Sequence, residues 1–226
     1  MTAIKNYFNK YKHGLWIVAY MIFYMMGFFI LENAGHRHYH VIHSWLDDQI
    51  PFCEYFIIPY LLWFVYLAVG VCWFIFRNQN KREYYQLISV LAIGMTIFLV
   101  VSCIYPNKQD LRPAVFANQN IFTQMVQLLY KGDTPTNILP SIHVFNSLVM
   151  FYAVNGSEQL KKKKGIRVFT GILTVSIVLS TMFLKQHSVV DVSLGILMSV
   201  ALQMFCERIF QNEGMGYRKQ SFRRIY

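Results

Sequence analysis

Residues 86–105 read QLISVLAIGMTIFLVVSCIY, a run of about twenty residues without one charged side chain. A helix needs ~20 consecutive apolar residues to cross the hydrocarbon layer of a bilayer. This run decides the fold. In lipid the backbone finds no outside partner for its N–H and C=O groups, so a spanning segment of this kind must be helical. Working outward, five more apolar stretches occur at 14–31, 55–76, 139–154, 166–184 and 189–210. The one at 139–154 is short and opens on Pro140, Ser141 and His143. The expectation is an all-α, polytopic membrane protein. Six transmembrane helices form one bundle, and residues 1–226 make a single membrane domain.

Composition agrees with this. Of 226 residues, 55% are hydrophobic, 17% aromatic and only 14% charged, whereas soluble domains carry about 25% charged residues. The deficit excludes an ordinary cytosolic globule and a disordered chain. Cys72, Cys103 and Cys206 sit inside apolar runs, so the cysteines make no disulfide framework. Lys5, Lys10 and Lys12 precede the first stretch as they would in a secretory signal. Its apolar core exceeds the ~7–15 residues of a signal, and no small-residue cleavage site follows, so it reads as a retained helix.

The net charge of +10 is a matter of placement. With the N-terminus inside, 16 of the 21 Lys and Arg residues fall in 1–13, 77–85, 155–167 and the C-terminal tail. Arg37, Lys108, Arg112, Lys131 and Lys185 fall on the other side. Positive charge near span ends stays cytoplasmic. The expected placement is therefore the plasma membrane, with both termini cytoplasmic. The basic excess meets anionic lipid heads. With no reading motif present, no nucleic-acid partner is expected.

Chemistry collects on the outer side of that layout. Lys108 and Arg112 lie in PNKQDLRP (106–113), Ser141 and His143 in LPSIH (139–143), and Lys185, His187 and Asp191 in LKQHSVVD (184–191). All three groups fall at outer ends of spans. His187 and Asp191 are four apart and share a face if both are helical. A carboxylate beside an imidazole fixes its tautomer and leaves the other ring nitrogen free as a nucleophile. His143 is placed to protonate a leaving oxygen. Lys108, Arg112 and Lys185 can neutralise a phosphoryl group, and N–H groups near Ser141 open a helix, which suits an anion.

These three segments, in this order, resemble the motifs of the type 2 phosphatidic acid phosphatase superfamily. Lys108…Arg112-Pro113 is similar to its first motif, Pro140-Ser141-Ile142-His143 to its second, and Ser180…His187…Asp191 to its third. The resemblance implies that His187 attacks phosphorus and forms a phosphohistidine, that His143 is the acid and that Asp191 orients His187. It implies phosphate contacts from Lys108, Arg112, Ser141 and Ser180, and no metal or other cofactor. Three departures stand out. Lys108 and Arg112 are closer together than in the family, Ile142 replaces a glycine, and Thr181 stands where an arginine is expected. Lys185 offers partial compensation as a point charge without a bidentate fork.

The expected activity is hydrolysis of a phosphorylated lipid at the outer face. Candidate substrates are a prenyl diphosphate, phosphatidylglycerophosphate or phosphatidic acid. A bulky residue in the second motif and a third motif without arginine are also similar to the inositol phosphorylceramide synthase branch, which implies transfer of a head group to a lipid alcohol. A non-catalytic lipid-binding protein is the third reading, since fold does not fix function.

His36, His38, His40 and His43 form a histidine-rich tract in the first outer segment. No cysteine or acidic ligand interleaves, and the spacing suits no single tetrahedral site, so interfacial anchoring is the expected role. Asp47, Asp48 and Glu54 nearby are expected to be solvated.

Overall fold

A computed structural model describes residues 10–34 and 38–223, with side chains as far as Phe210. Lys5, His36, Arg37 and Arg224 of the counts above lie outside the described residues, as do the side chains of Arg218, Lys219 and Arg223. The chain is mainly helical. The helices are α1 (Leu15–Glu32), the short α2 (Trp45–Gln49), α3 (Ile57–Phe76), α4 (Lys81–Ile104), α5 (Ile121–Gly132), α6 (Ile142–Gly156), α7 (Lys164–Phe183) and α8 (Val189–Arg223). Five helical stretches are long and apolar enough to cross a membrane: Lys12–Glu32, Glu54–Phe76, Lys81–Ile104, Lys164–Phe183 and Val189–Phe210. Their outward faces carry large exposed apolar side chains such as Trp16, Phe29, Val69, Phe169 and Leu197. In water such a surface would be costly, and in lipid it is solvated.

The stretch at 139–154 behaves differently. Its helix α6 has 15 residues, which at 1.5 Å each is about 22 Å against a ~30 Å hydrocarbon layer. It lies in the middle of the bundle, packed on α3, α4, α7 and α8. Val144, Phe145, Val149 and Met150 on it are almost fully buried. Phe145 reaches α4 at Gly94, where a Cβ would lie 2.0 Å from the ring. The glycine is thus what lets these two helices approach.

The long segment 106–138 is more than a loop. It contains α5, started by Asn120, whose Oδ1 accepts from Thr123 N at 2.9 Å. The buried side of α5 sets Val126 against Ile57, Tyr60 and Leu184, roofing one end of the bundle. The same end holds a departure from the all-α expectation. His40–Val41 (β1) and Asn107–Lys108 (β2) form a two-residue parallel pair, with His40 opposite Asn107 and Val41 opposite Lys108.

Candidate active site

The second and third motifs converge at this roofed end. The turn after α7 comes first, because it aims His187. Leu184 caps the helix and Lys185 takes a left-handed φ of 53°. Lys185 N donates to Met182 O at 2.9 Å and Gln186 N to Thr181 O at 3.0 Å, the paired bonds of a Schellman turn. His187 N adds a third bond, to Thr181 O at 3.1 Å. Thr181, at the position expected to hold an arginine, thus contributes its carbonyl to the turn.

His187 lies two residues before α8, so it and Asp191 do not share a helical face. The partner is nonetheless Asp191: His187 Nδ1 and Asp191 Oδ2 are hydrogen-bonded, with Asp191 fully buried and His187 7% exposed. On its other side, His187 Nε2 lies 3.3 Å from His143 Nδ1. The proton positions follow. With Asp191 as the carboxylate and His187 as neutral imidazole, Nδ1–H of His187 donates to the carboxylate, Nε2 carries a lone pair, and the proton between the rings belongs to His143 Nδ1. An imidazole with a fixed tautomer thus faces a second imidazole that holds a transferable proton.

His143 sits in the first turn of α6, walled by two aromatics of α3. The ring centroids of Tyr60 and Trp63 lie 4.8 Å and 4.3 Å from its own. Ser141 is the N-cap of α6, and its N–H donates to Asp191 O at 3.1 Å. This ties the second motif directly to the third. Ser141 and Ser180 are both fully buried. Ser141 Oγ accepts from Val144 N, a long 3.5 Å bond, and Ser180 Oγ donates to Ile177 O at 2.7 Å.

The first motif is fixed by its neighbour Asn107, which is fully buried. Asn107 Oδ1 accepts from Ile138 N and Leu139 N, both at 2.9 Å, so it holds the approach to Ser141. Lys108 follows on β2, half-buried, with no side-chain hydrogen bond or ion pair among the described residues. Arg112 lies with its guanidinium 4.3 Å over the Tyr130 ring. It donates to Tyr130 O at 3.1 Å, to Asp133 O at 2.7 Å and to Gln186 Oε1. Gln186 immediately precedes His187, so Arg112 touches the turn that carries His187. Its Nε is buried without a partner. Burial lowers the Arg112 pKa, and the Asp133 charge opposes that. Lys185 points elsewhere: its Nζ donates to Asp47 O at 2.6 Å, and burial lowers its pKa.

Several residues here escaped the sequence reading. Asp133 ends the α5 segment, accepts from Tyr60 OH at 2.8 Å and lies 3.5 Å from Gln186 Nε2. Burial raises its pKa, while the Tyr60 bond and the charges of His187 and Arg112 pull it back. Only its place after an amphipathic run hinted at it. Asp47 and Glu54 correct an expectation, being 2% and 5% exposed. Asp47 accepts from Ser44 N at 2.8 Å, Ser188 Oγ at 2.6 Å and Val189 N at 2.8 Å. It caps both α2 and α8, which explains why it leaves water. Ser44-x-x-Asp47 was readable as a capping box. Glu54 accepts from Asn118 and Asn120 at 3.0 and 2.9 Å. Asp48 does stay exposed, paired with His43 at 3.0 Å. That bond raises the His43 pKa.

The remaining described histidines of the tract serve the β1–β2 pair. His40 stacks on Tyr105 at 4.3 Å, and His38 meets His40 edge-on. Among the described residues, no three His, Cys, Asp or Glu side chains gather as a metal site would require. No curated protein and no solved structure is a match. A model of the PAP2 superfamily matches residues 28–205, which take in the histidine pair, Asp191 and the Lys108–Arg112 segment, and the chain belongs to that superfamily.

Proposed function

We propose that the chain is an integral-membrane lipid phosphatase acting through His187. The observation that carries this reading is the 3.3 Å approach of His187 Nε2 to His143 Nδ1, with Asp191 on the far nitrogen of His187. Superfamily membership supports phosphatase or phosphotransferase chemistry. Substrate phosphate displaces the contact between the rings. His187 Nε2 then attacks phosphorus, the bond from phosphorus to the lipid oxygen breaks, and His143, protonated on both ring nitrogens once the phosphate is bound, gives its Nδ1 proton to that oxygen and is left as neutral imidazole. Asp191 holds the developing cation on His187. In the second half, His143 takes a proton from water, water attacks phosphorus, and the N–P bond breaks to release inorganic phosphate. Lys108 and the unused donors of Arg112 neutralise the phosphoryl oxygens, where electrostatic positioning supplies most of the rate. Ser141 and Ser180 hold the backbone around the histidine pair, and Lys185 anchors the nucleophile turn to the 44–48 segment.

In the same reading α6 is the sixth span. Its non-helical entry, Leu139 to Ser141, is acceptable at membrane depth because protein surrounds it. The charge asymmetry puts both termini in the cytoplasm and the histidine pair at the outer face. The lipid tail stays in the bilayer while its phosphate meets the cations at the interface. The class of lipid, a prenyl diphosphate, phosphatidylglycerophosphate or phosphatidic acid, is the question for assay.

The test is phosphate release from each of these lipids by purified protein with chelator present. Turnover is expected for at least one, and His187→Ala is expected to lower it by about 10⁴-fold or more, since nucleophile and acid act as a unit. Release that is unchanged in His187→Ala would refute the mechanism. Product lipid without free phosphate, seen only with an added lipid alcohol, would assign head-group transfer in its place. No turnover under either condition would leave the lipid-binding reading.

A further inference from the structure

A second polar cavity lies at the opposite end of the bundle. It measures about 460 Å³ and is walled by the ends of α3, α4 and α6, by the middle of α8 and by the turn after α6. It sits at the start of the 24-residue α4, so a helix of ~36 Å separates it from Lys108. Nothing in the proposed reaction uses it.

Two of its wall residues have buried oxygens with nothing to bond. Ser157 is fully buried, and its Oγ has no partner. Glu83 Oε1 accepts from Glu158 N at 3.0 Å and Asn80 Nδ2 at 3.3 Å, but its Oε2 is buried and unpaired. Glu83 Oε2 can only accept and so lacks a donor, and the Ser157 hydroxyl, which can donate or accept, lacks any partner. An unpaired buried acceptor is destabilising, more so when charged, and an N–H donor would relieve it. Charge points the same way. Glu83, Glu158 and Glu207 line the cavity against Arg82 and Lys161, a formal excess of one carboxylate. Lys161 makes no side-chain hydrogen bond or ion pair among the described residues, leaving its ammonium for an anion. The volume far exceeds that of one water, ~30 Å³.

We propose that this cavity binds a phosphoethanolamine-type head group. Its primary ammonium donates to Glu83 Oε2 and Ser157 Oγ, and its phosphate lies against Lys161. A choline group fails, because a quaternary ammonium has no N–H. A glycerol head group fails, because it brings no cation. The site lies between lipid-facing helix ends, so the head group can arrive on a lipid or free in solution.

The experiment is thermal unfolding of the delipidated full chain in detergent, titrated separately with short-chain phosphatidylethanolamine, phosphatidylcholine, phosphatidylglycerol and free O-phosphoethanolamine. Ligand that binds only the folded state raises the unfolding temperature. The ethanolamine lipid is expected to raise it and the other two lipids are not. A matching rise with the free compound identifies a soluble source of the same chemistry, and no rise with it identifies the lipid. Ser157→Ala removes an oxygen that has no partner, so the ligand-free unfolding temperature is expected to hold while affinity falls about tenfold or more, the loss of one charge-assisted bond. Glu83→Gln is expected to lose affinity likewise. An equal rise with the choline lipid, no rise with either ethanolamine compound, or unchanged affinity in both variants would overturn the proposal. Because the readout is binding, failure here leaves the phosphatase assay untouched, and the reverse holds.

Discussion

Asp133 does the most unexpected work of any single side chain. It carries Tyr60, whose ring packs on His143, and it faces Gln186 beside His187. Its pKa is raised, chiefly by burial, so the folded chain holds this proton more tightly than the unfolded one. Between the ordinary carboxylate value and the raised folded value, the folded state binds more protons, and stability falls as pH rises through that window. Asp133→Asn is expected to flatten this slope in unfolding temperature against pH. A slope equal to wild type would show that another group sets it. Asp47 is the second case. Its carboxylate receives three hydrogen bonds and caps α8 two residues after His187. Asp47→Ala is expected to cost about 2–4 kcal/mol, from the lost cap and the stranded donors, read as a lower unfolding temperature in detergent.

Between elements, the decisive contact is α6 against α8. Gly195 faces the N-terminus of α6, and a Cβ there would lie 2.7 Å from Ser141 O. That carbonyl is backbone and cannot rotate aside. Gly195→Ala must therefore push the His143 turn away from α8 and from His187. Overpacking of this kind costs about 1–3 kcal/mol, but the larger expected effect is on kcat, since displacements near 1 Å cost ~10²-fold. Turnover at the wild-type rate in a folded Gly195→Ala protein would show that the inter-ring distance is not critical. Gly94 plays the matching role between α4 and α6, under Phe145.

For the molecule as a whole, the proposed orientation makes a labelling prediction. Single cysteines placed at residues 117–119 are expected to react with a membrane-impermeant maleimide on intact cells. Cysteines at 161–164 are expected to react only after permeabilisation, because the proposed orientation puts the lysine cluster there in the cytoplasm. The reverse pattern would place the histidine pair on the inner face and contradict an extracytoplasmic site. Of the chain's own cysteines, Cys53, Cys72 and Cys103 are not fully buried, so a background free of them is required.

The sequence alone made the chain legible as helical, with helices long and apolar enough to cross a membrane, because uncharged runs of spanning length permit little else. It also determined which residue types meet, since Lys108, Arg112, His143, His187 and Asp191 could be picked out in order along the chain. Only the tertiary structure decided how they meet. His187 is aimed by a left-handed turn at Lys185 and a carbonyl of Thr181, whereas helical periodicity had placed it on α8. Asp133, Asp47 and Gln186 reach the site through bonds to residues 53 to 142 positions away. Such bonds depend on where separate helix ends arrive, and no local pattern encodes that. Solvation was decided the same way: Asp47 and Asp48 are neighbours in sequence, yet one caps a helix in the interior and the other stays in water.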